Sequence, residues 1–381
     1  MYEQEEHRLL RSTVRDFAEQ EIKPLAKELD DREEFSYDLT KKMAEIGLFG
    51  IVVPPEYGGQ GMDYLSYIIA VEELARIDGS QAATVAAHNS LGIGPLYNHG
   101  TEEQKQRYIP PLCTGDGLWA FGLTEPEAGS DSRGSKTMAR LVEGNWVING
   151  SKIFITNGAT DITLGTTVQA VTGEEDGKKE FSTIIVNRDT PGYTARAMKE
   201  KMMWRASNTA ELYFDDCTVP EDHLLGDRGD GSHIMLETLD DGRLSIAAMG
   251  LGLAQGAYEM ALEYSKQRKQ FGKPISKFQI IAFKLADMAM KVELGRNLLY
   301  KACWLKQNRQ PFAKESAMAK LYCSEIAKEV ADEAVQVHGG YGLMKEYDIE
   351  RFYRDQRLLQ IGEGTSEIQR LVISRYILTE R

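Results

Sequence analysis

A single carboxylate between two glycines is the strongest chemical signal in the chain. Glu363 lies between Gly362 and Gly364 in the segment QIGEGTSEIQRLVISR, and the apolar residues that follow recur at helical spacing. Thr365 and Ser366 are good residues to begin that helix. A carboxylate with small neighbours beside a helix N-terminus is suited to remove a proton from carbon. The pattern therefore predicts a general base, and the alternative is a polar turn that only caps the last helix.

The composition argues against several other classes of function. The 381 residues carry a net charge of −13, whereas nucleic acid normally requires a clustered basic face. The four cysteines are scattered without a CxxC pair, which favours a reducing compartment over a disulfide framework or a zinc site. The first residues lack the pattern of a secretory signal. We therefore expect a cytoplasmic protein with no metal and no nucleic-acid partner.

One apolar stretch raises the question of a membrane. Residues 244–264 are nearly long enough to span a bilayer, but they contain Gln255 and Glu259 and are rich in Gly and Ala. A tightly packed buried helix is therefore the preferred interpretation, and no membrane span is expected.

The hydrophobic period changes twice along the chain. It is helical in the N-terminal third, follows strands and hairpins from about Trp119 to Val219, and is helical again after Leu225. Within the strand region we predict a turn at Glu143–Asn145 and a charged loop at GEEDGKKE. The order α, β, α without βαβ alternation argues against a Rossmann domain, and no GxGxxG or GxxxxGK[ST] signal supports one.

The predicted fold class is therefore α+β. We expect an N-terminal helical domain, a central β-barrel-like or sandwich domain and a C-terminal four-helix bundle, over residues 1–118, 119–225 and 226–381. The four long helices of the bundle are predicted near 232–266, 279–307, 313–337 and 365–379. A redox cofactor bound by such a chain would have to sit between domains.

Five segments along the chain form a recognisable set. They are FGLTEPEAGSDS from Phe121, KIFITNG from Lys152, RKQFGKPISKFQ from Arg268, QVHGGYG from Gln336 and the run around Glu363. Each is modestly specific, but together and in this order they closely resemble the FAD-dependent acyl-CoA dehydrogenases of short/medium-chain or branched-chain type. The resemblance spans essentially the whole chain and implies a flavin between the β domain and the bundle.

The resemblance implies three groups of FAD-binding residues. Positions that match the β-domain loop and strand at the isoalloxazine ring are Phe121, Leu123, Thr124, Gly129, Ser130, Phe154 and Thr156. Positions that match contacts across a dimer interface are Arg268, Gln270, Phe271, Gln279, Gln336, Gly339 and Gly340. Positions that match contacts beside the base are Thr365 and Glu367.

Ordinary structural interpretations of these positions stay open. By residue type alone, Phe154 is more often a core residue, Arg268 a solvated helix end, and the glycines after Gln336 a helix C-cap. Family members often carry Trp at the position of Phe154, and because both rings are flat and apolar we expect the stacking role to survive. Arg268 would pair with the FAD pyrophosphate, a role that suits a planar cation.

The implied reaction is α,β-dehydrogenation of acyl-CoA thioesters to trans-2-enoyl-CoA. Glu363 matches the family's base, which removes the α-proton while hydride passes from the β-carbon to FAD. In the family, the base's backbone N–H and a flavin hydroxyl stabilise the enolate oxygen. Ser130, Asp240, Arg243 and Gly364, together with Glu363, match positions that contact the acyl-CoA. A simple i,i+3 ion pair is the alternative for Asp240 and Arg243.

Two departures from the family pattern bear on the substrate. Some branched-chain and long-chain members carry their base at the position of Gly242, which cannot serve and so strengthens Glu363 as the base. Family members often have Tyr immediately before the base, where this chain has Gly362. The missing ring is expected to widen the acyl pocket and to admit branched chains.

The resemblance also implies partners. It implies a homotetramer built as a pair of dimers, with electrons passed to an electron-transfer flavoprotein in fatty acid β-oxidation or branched-chain amino acid degradation. One alternative is an acyl-CoA oxidase, which usually has a longer chain with an extra C-terminal domain. The other is a flavin- or nucleic-acid-binding member of the same scaffold, which would be expected to lack the base or to carry a basic C-terminal face.

Overall fold

The computed structural model describes residues 2–379, and their helices and strands confirm the predicted order of the three regions. The N-terminal region contains α1 (Glu5–Phe17), α2 (Lys23–Arg32), α3 (Tyr37–Glu45), α4 (Tyr64–Ala75), α5 (Gly79–Ala87), α6 (Gly94–His99) and α7 (Glu102–Cys113). Side-chain caps explain where several of these helices begin. Asp63 Oδ1 accepts a hydrogen bond from the first turn of α4, and Asp78 Oδ1 accepts one from the first turn of α5.

The middle region is one mixed sheet. Its strands are β1 (Leu118–Gly122), β2 (Met138–Val142), β3 (Asn145–Thr156), β4 (Thr163–Glu175), β5 (Lys178–Asn187), β6 (Tyr193–Ala197), β7 (Thr209–Pro220) and β8 (Leu224–Leu225). Their order is β6-β7-β3-β2-β4-β5-β8, and β1 pairs in parallel with β4. All five residues of β1 are buried, so the loop that follows β1 starts from a fixed position.

The two predicted hairpin connections have different outcomes. The turn at Glu143–Asn145 is confirmed, because β2 and β3 meet there through two residues with positive φ. The prediction of a charged loop at GEEDGKKE is wrong. Strands β4 and β5 pair through most of it, with Glu174 opposite Lys179, and the tight turn contains only Asp176 and Gly177. Opposite charges on facing residues favour strand pairing, so the dense charge does not mark a loop.

The C-terminal region contains the four predicted long helices. Its elements are α8 (Gly231–Gln267), a short hairpin of β9 (Lys269–Gln270) and β10 (Lys273–Pro274), α9 (Gln279–Gln307), α10 (Ala313–His338), α11 (Ile349–Asp355) and α12 (Ser366–Thr379). The apolar stretch 244–264 lies inside α8 and is largely buried. Within residues 2–379, none of the helices combines the length and the apolarity needed to cross a membrane.

Small residues fix α8 against its neighbours. A Cβ built on Gly252 would lie 2.3 Å from the Glu72 carbonyl oxygen of α4, and one on Gly250 would lie 2.7 Å from the Cys323 carbonyl oxygen of α10. Only glycine permits such close approach. Buried residues of α8, α9 and α10 share one core with residues of α1, α3, α4 and α5. This core holds α8 and α10 rigidly on either side of the segment that precedes α12.

Candidate active site

The site is built on a left-handed turn just before α12. Glu363 has φ of 53° and Gly364 has φ of 84°, and a non-glycine residue adopts this conformation only where its surroundings hold it. Two side chains supply that restraint. Gln369 Nε2 donates to the carbonyl oxygens of Glu363 (3.1 Å) and Gly364 (2.9 Å), and Lys320 Nζ donates to the Gly364 carbonyl oxygen (2.7 Å).

The Glu363 carboxyl is enclosed although the residue as a whole is half-buried. Its Oε2 is buried and has no hydrogen-bond partner among the residues that the structure describes. A Cβ on Gly242 would lie 2.6 Å from this oxygen and 3.4 Å from the Leu91 side chain, so glycine lets the carboxyl rest directly on α8.

This enclosure changes the acidity of the carboxyl. Burial raises the pKa of Glu363 to about 7, and the positive charges of Lys320 and Arg243 partly offset the rise. A carboxyl with this pKa is a stronger base than an exposed glutamate and can exchange protons near neutral pH.

The backbone of the turn also leaves a donor available. The N–H of Gly362 donates to the Leu358 carbonyl oxygen at 2.8 Å. The N–H of Glu363, in contrast, has no hydrogen-bond partner within residues 2–379. A free N–H on the same residue as the enclosed carboxyl is suited to stabilise negative charge that develops on a ligand oxygen.

Asp240 and Arg243 form the i,i+3 ion pair that was the alternative to a ligand contact. Burial raises the pKa of Asp240, and the Arg243 charge opposes that rise. Arg243 is itself buried, and its Nε has no hydrogen-bond partner among the described residues. The predicted contact of the pair with CoA stays a prediction.

The predicted ring-contacting residues lie on adjoining backbone of the sheet. Phe121 lies in β1, one residue before the strand ends. The loop that follows is tied to β3, because Ile153 N donates to the Thr124 carbonyl oxygen at 2.9 Å. Lys152 Nζ donates to the Leu123 carbonyl oxygen at 3.1 Å. The structure thus places Leu123 and Thr124 against Lys152 and Ile153 of β3, the strand that carries Phe154 and Thr156. Gly129 and Ser130 are exposed further along the same loop.

Phe154 is not a core residue. Its side chain is 62% exposed, and its backbone is left-handed with φ of 62°. The interpretation of this ring as core is therefore wrong for the isolated chain. This large apolar ring projects from β3 into the open and offers a flat face to a partner molecule.

Four of the predicted interface residues line one cavity of about 610 Å³. They are Arg268, Gln270, Gly339 and Gly340. A Cβ on either glycine would meet nothing within 4 Å, so this wall is open. Phe271 is 92% exposed, and Gln279 and Gln336 are exposed at the start of α9 and in the last turn of α10.

The ordinary roles of two of these segments are also present. Arg268 caps the C-terminus of α8 at the surface, and its guanidinium lies 5.5 Å from the centre of the Tyr341 ring. Gly339 caps α10 with φ of 61°, and its N–H donates to the Gln336 carbonyl oxygen. These capping roles leave both segments available to a ligand, because Arg268 and the open backbone of Gly339 also line the cavity.

Models of three protein-family domains match consecutive regions of the chain. The N-terminal, middle and C-terminal domains of acyl-CoA dehydrogenase match residues 4–116, 120–217 and 229–378. The chain belongs to the acyl-CoA dehydrogenase family. A probable acyl-CoA dehydrogenase of Bacillus subtilis is 52% identical over 374 residues, which cover 98% of both chains.

Solved structures agree with this assignment. Butyryl-CoA dehydrogenase from Megasphaera elsdenii is 42% identical, with a TM-score of 0.95 over 99% of each chain. A chain from a structure described as the electron-transferring flavoprotein of Acidaminococcus fermentans is 43% identical, with a TM-score of 0.96 over 99% of each chain. This acyl-CoA dehydrogenase is therefore an oxidoreductase.

Acyl-CoA dehydrogenases depend on FAD, and this chain does so as well. Solved relatives are complexes with FAD or with its reduced form. The residues present here fit that cofactor. The cavity beside Gly339 and Gly340 is open, Arg268 supplies a cation at its wall, and Phe154 offers an exposed ring on the sheet.

Sequence reasoning missed two residues that hold the Glu363 turn in this dehydrogenase, Lys320 and Gln369. Lys320 carried a usable signal, since it interrupts the buried stripe of α10 that includes Ala317 and Cys323. Gln369 lies one turn into α12 and is fully buried, which its polar type did not indicate. Leu91, which lies near Gly242, carried no signal.

Proposed function

We propose that this acyl-CoA dehydrogenase converts short- to medium-chain acyl-CoA thioesters, including branched ones, to trans-2-enoyl-CoA, with Glu363 as the base that removes the α-proton. The buried and unpartnered Oε2 of Glu363 carries the proposal. A thioester α-proton is weakly acidic, so its removal requires a base that water does not stabilise. A carboxyl whose pKa burial raises to about 7 meets this requirement while it still ionises near neutral pH.

The turn that holds Glu363 is also proposed to stabilise negative charge on the thioester oxygen. Negative charge moves onto that oxygen as the α-proton leaves, and the unpaired N–H of Glu363 is available to stabilise it. Asp240, Arg243, Ser130 and Gly364 are proposed to bind the remainder of the acyl-CoA. Arg243 supports this role because its Nε is buried without a partner among the described residues.

The chemistry that FAD supplies when bound is acceptance of the β-hydrogen as a hydride. The residues proposed to hold its ring are those on the β1 loop and β3, with Phe154 stacked on one face, and Thr365 and Glu367 beside the base. The proposed contacts from the partner subunit are Arg268, Gln270, Phe271, Gln279, Gln336, Gly339 and Gly340.

We propose a homotetramer, because the surface of α9 carries apolar side chains that water does not favour. Ile280, Phe283, Met290 and Leu294 are each more than half exposed in the single chain. They are spaced by three, seven and four residues, so they lie on one face of the helix. Apolar surface of this kind marks an interface between subunits. Sedimentation velocity of the FAD-loaded protein tests the tetramer, and a monomer at micromolar concentration would contradict it.

We propose that an electron-transfer flavoprotein in the cytoplasm reoxidises the enzyme. The similarity to a chain from the Acidaminococcus structure supports this acceptor, and four buried cysteines without disulfides fit a reducing compartment. Fatty acid β-oxidation and branched-chain amino acid degradation are the two proposed pathways.

Anaerobic mixing of the yellow holoenzyme with butyryl-CoA and with isovaleryl-CoA tests the reaction. We expect the flavin absorbance to fall with both thioesters and the matching enoyl-CoA to form in equal amount. A holoenzyme that stays oxidised with the whole panel of short, medium and branched acyl-CoA would contradict the proposal. Rapid reoxidation by O2 would instead indicate an oxidase.

A further inference from the structure

Among residues 2–379 two lysines are fully buried, and a carboxylate of this part of the chain neutralises only one of them. Lys152 Nζ lies 2.8 Å from Glu125 Oε1, inside the β domain. Lys320 is 0% exposed, and no carboxylate of the described residues forms an ion pair or hydrogen bond with it. A buried ammonium without a directly paired carboxylate lowers the stability of a fold. Lys320 therefore requires an explanation other than packing.

Within the described part of the chain, the side chain of Lys320 makes one hydrogen bond, which goes to the left-handed turn at Glu363 and Gly364, here called the base turn. Its Nζ donates to the Gly364 carbonyl oxygen at 2.7 Å. Burial lowers the pKa of Lys320 to about 8, and the negative charge of Glu363 opposes that fall more than any other group does. The ammonium is therefore still mostly protonated at neutral pH, and its charge acts on Glu363 in return.

We propose that Lys320 is a positioning residue for the base: its ammonium holds the Gly364 carbonyl, and with it the left-handed turn, while its charge stabilises the carboxylate form of Glu363. The proposal rests on Glu363 as the base of the proposed function. A carboxylate that loses its hydration needs a compensating cation to remain ionised near neutral pH. The Lys320 ammonium donates to the backbone of Gly364, the residue after the base, and not to Glu363 Oε2. It therefore supplies positive charge while the lone pairs of Oε2 remain available to accept the α-proton.

The other charged groups around this turn have partners of their own or are exposed. Arg243 on α8 pairs with Asp240. Glu325 on α10 accepts a hydrogen bond from Ser366 Oγ at 2.7 Å, and Glu367 on α12 is exposed. Tyr67 of α4 is buried nearby and stays neutral, because burial raises its pKa. Among these groups, Lys320 offsets the burial of Glu363 most strongly.

Three substitutions separate the two parts of this role. Lys320→Met removes both the donor and the charge, Lys320→Gln keeps a neutral donor, and Lys320→Arg keeps a charged donor. Lys328→Met is the matched control, since Lys328 is exposed on the same helix. For each holoenzyme, the rate constant of flavin reduction by butyryl-CoA is measured from pH 5.5 to 9.5. Infrared difference spectra report the protonated Glu363 carboxyl directly, with Glu363→Gln as the blank.

We expect Lys320→Met to move the rising limb of the rate and the infrared midpoint upward together by about 1 pH unit or more, since a nearby opposite charge lowers the pKa of a carboxyl by about this amount. At pH 7 the rate should fall about fivefold or more, in proportion to the ionised fraction of Glu363, and should recover partly at high pH. Lys320→Gln should share the shift, Lys320→Arg should keep most of the wild-type profile, and Lys328→Met should change nothing.

Unchanged midpoints in Lys320→Met or Lys320→Gln would overturn the electrostatic role. If Lys320→Met does not fold, Lys320→Gln alone decides this point, because it keeps a donor for the Gly364 carbonyl. A failure of the proposed function is distinguishable: in that case Glu363→Gln itself would retain flavin reduction.

Discussion

Two buried carboxyl groups of this dehydrogenase have a pKa raised to about 7 by burial, and in each of them one oxygen has no hydrogen-bond partner among the described residues. Asp355, at the end of α11, is fully buried, and its Oδ1 accepts a hydrogen bond from Trp204 N at 2.8 Å. Glu363 stands between two glycines, and its Oε2 contacts no donor in the described chain. A raised pKa by itself therefore does not identify a reactive group.

Access to a ligand makes the difference. Asp355 is 0% exposed, and a Cβ on Gly79 would lie 3.1 Å from its Oδ2 and 2.9 Å from the Trp204 indole nitrogen, so Asp355 is closely packed in the protein interior. The charged neighbours Arg351 and Asp78 pair with each other at the same junction. Asp355 thus joins α11 to the loop before β7, whereas Glu363 sits half-buried on an open turn. The same desolvation favours a neutral carboxyl at a packed junction in one place and, in the proposed function, strengthens a base in the other.

The largest expected effect that separates the two sites is that of Glu363→Gln. The amide has nearly the same shape but cannot accept the α-proton, so flavin reduction should fall by at least the 10²–10⁴-fold that general-base catalysis contributes. FAD content and Tm should stay close to those of the wild type. Stopped-flow absorbance at saturating butyryl-CoA measures the loss. Near-normal reduction by this variant would show that Glu363 is no more reactive than Asp355.

The next effect tests the close contact between α8 and the base. In Gly242→Ala the new Cβ would lie 2.6 Å from Glu363 Oε2, so the carboxyl must move. A displacement of about 1 Å can cost about 10²-fold in rate. Glu363→Asp shortens the side chain by one methylene, and in that background the alanine should have little further effect. Additive losses in the double variant would contradict the contact.

Sequence patterns predicted the frame of this site better than its interior. The four long bundle helices and the turn at Glu143–Asn145 follow from periodicity and turn chemistry, which are local properties. The strand pairing at GEEDGKKE and the role of Lys320 are not local. One depends on which residues face each other across β4 and β5, and the other on a contact between α10 and a turn 44 residues later in the chain.

A smaller effect concerns the glycine before the base. Gly362 is not among the residues with positive φ, and a Cβ there would first meet the flexible tip of Leu358 at 2.9 Å. Loop damage in Gly362→Tyr is therefore the weaker interpretation. If the missing ring leaves space near the reacting carbons, the variant should shift preference from isovaleryl-CoA to butyryl-CoA by about 1–3 kcal/mol in kcat/KM. An equal fall for both thioesters would instead indicate a damaged loop.

The smallest expected effect on catalysis is that of Asp355→Asn, which should change flavin reduction by less than about twofold, because Asp355 lies outside the base turn. Its effect should be on the pH dependence of stability. The folded pKa of Asp355 is raised from its ordinary value of 3.8 to about 7. The protonated form is thus favoured in the folded protein.

The stabilisation that comes from this protonated form is complete below about pH 4 and is lost as the pH rises through about 7. The asparagine variant mimics the neutral acid and can keep the bond to Trp204 N, so it lacks this loss. Between pH 5 and 8 the Tm of the wild type should therefore fall relative to that of Asp355→Asn. Asp78, Asp30 and Arg351 also act on Asp355, but they are common to both proteins. Parallel Tm curves across this range would mean that Asp355 is already ionised in the fold, and the resemblance between the two carboxyls would disappear.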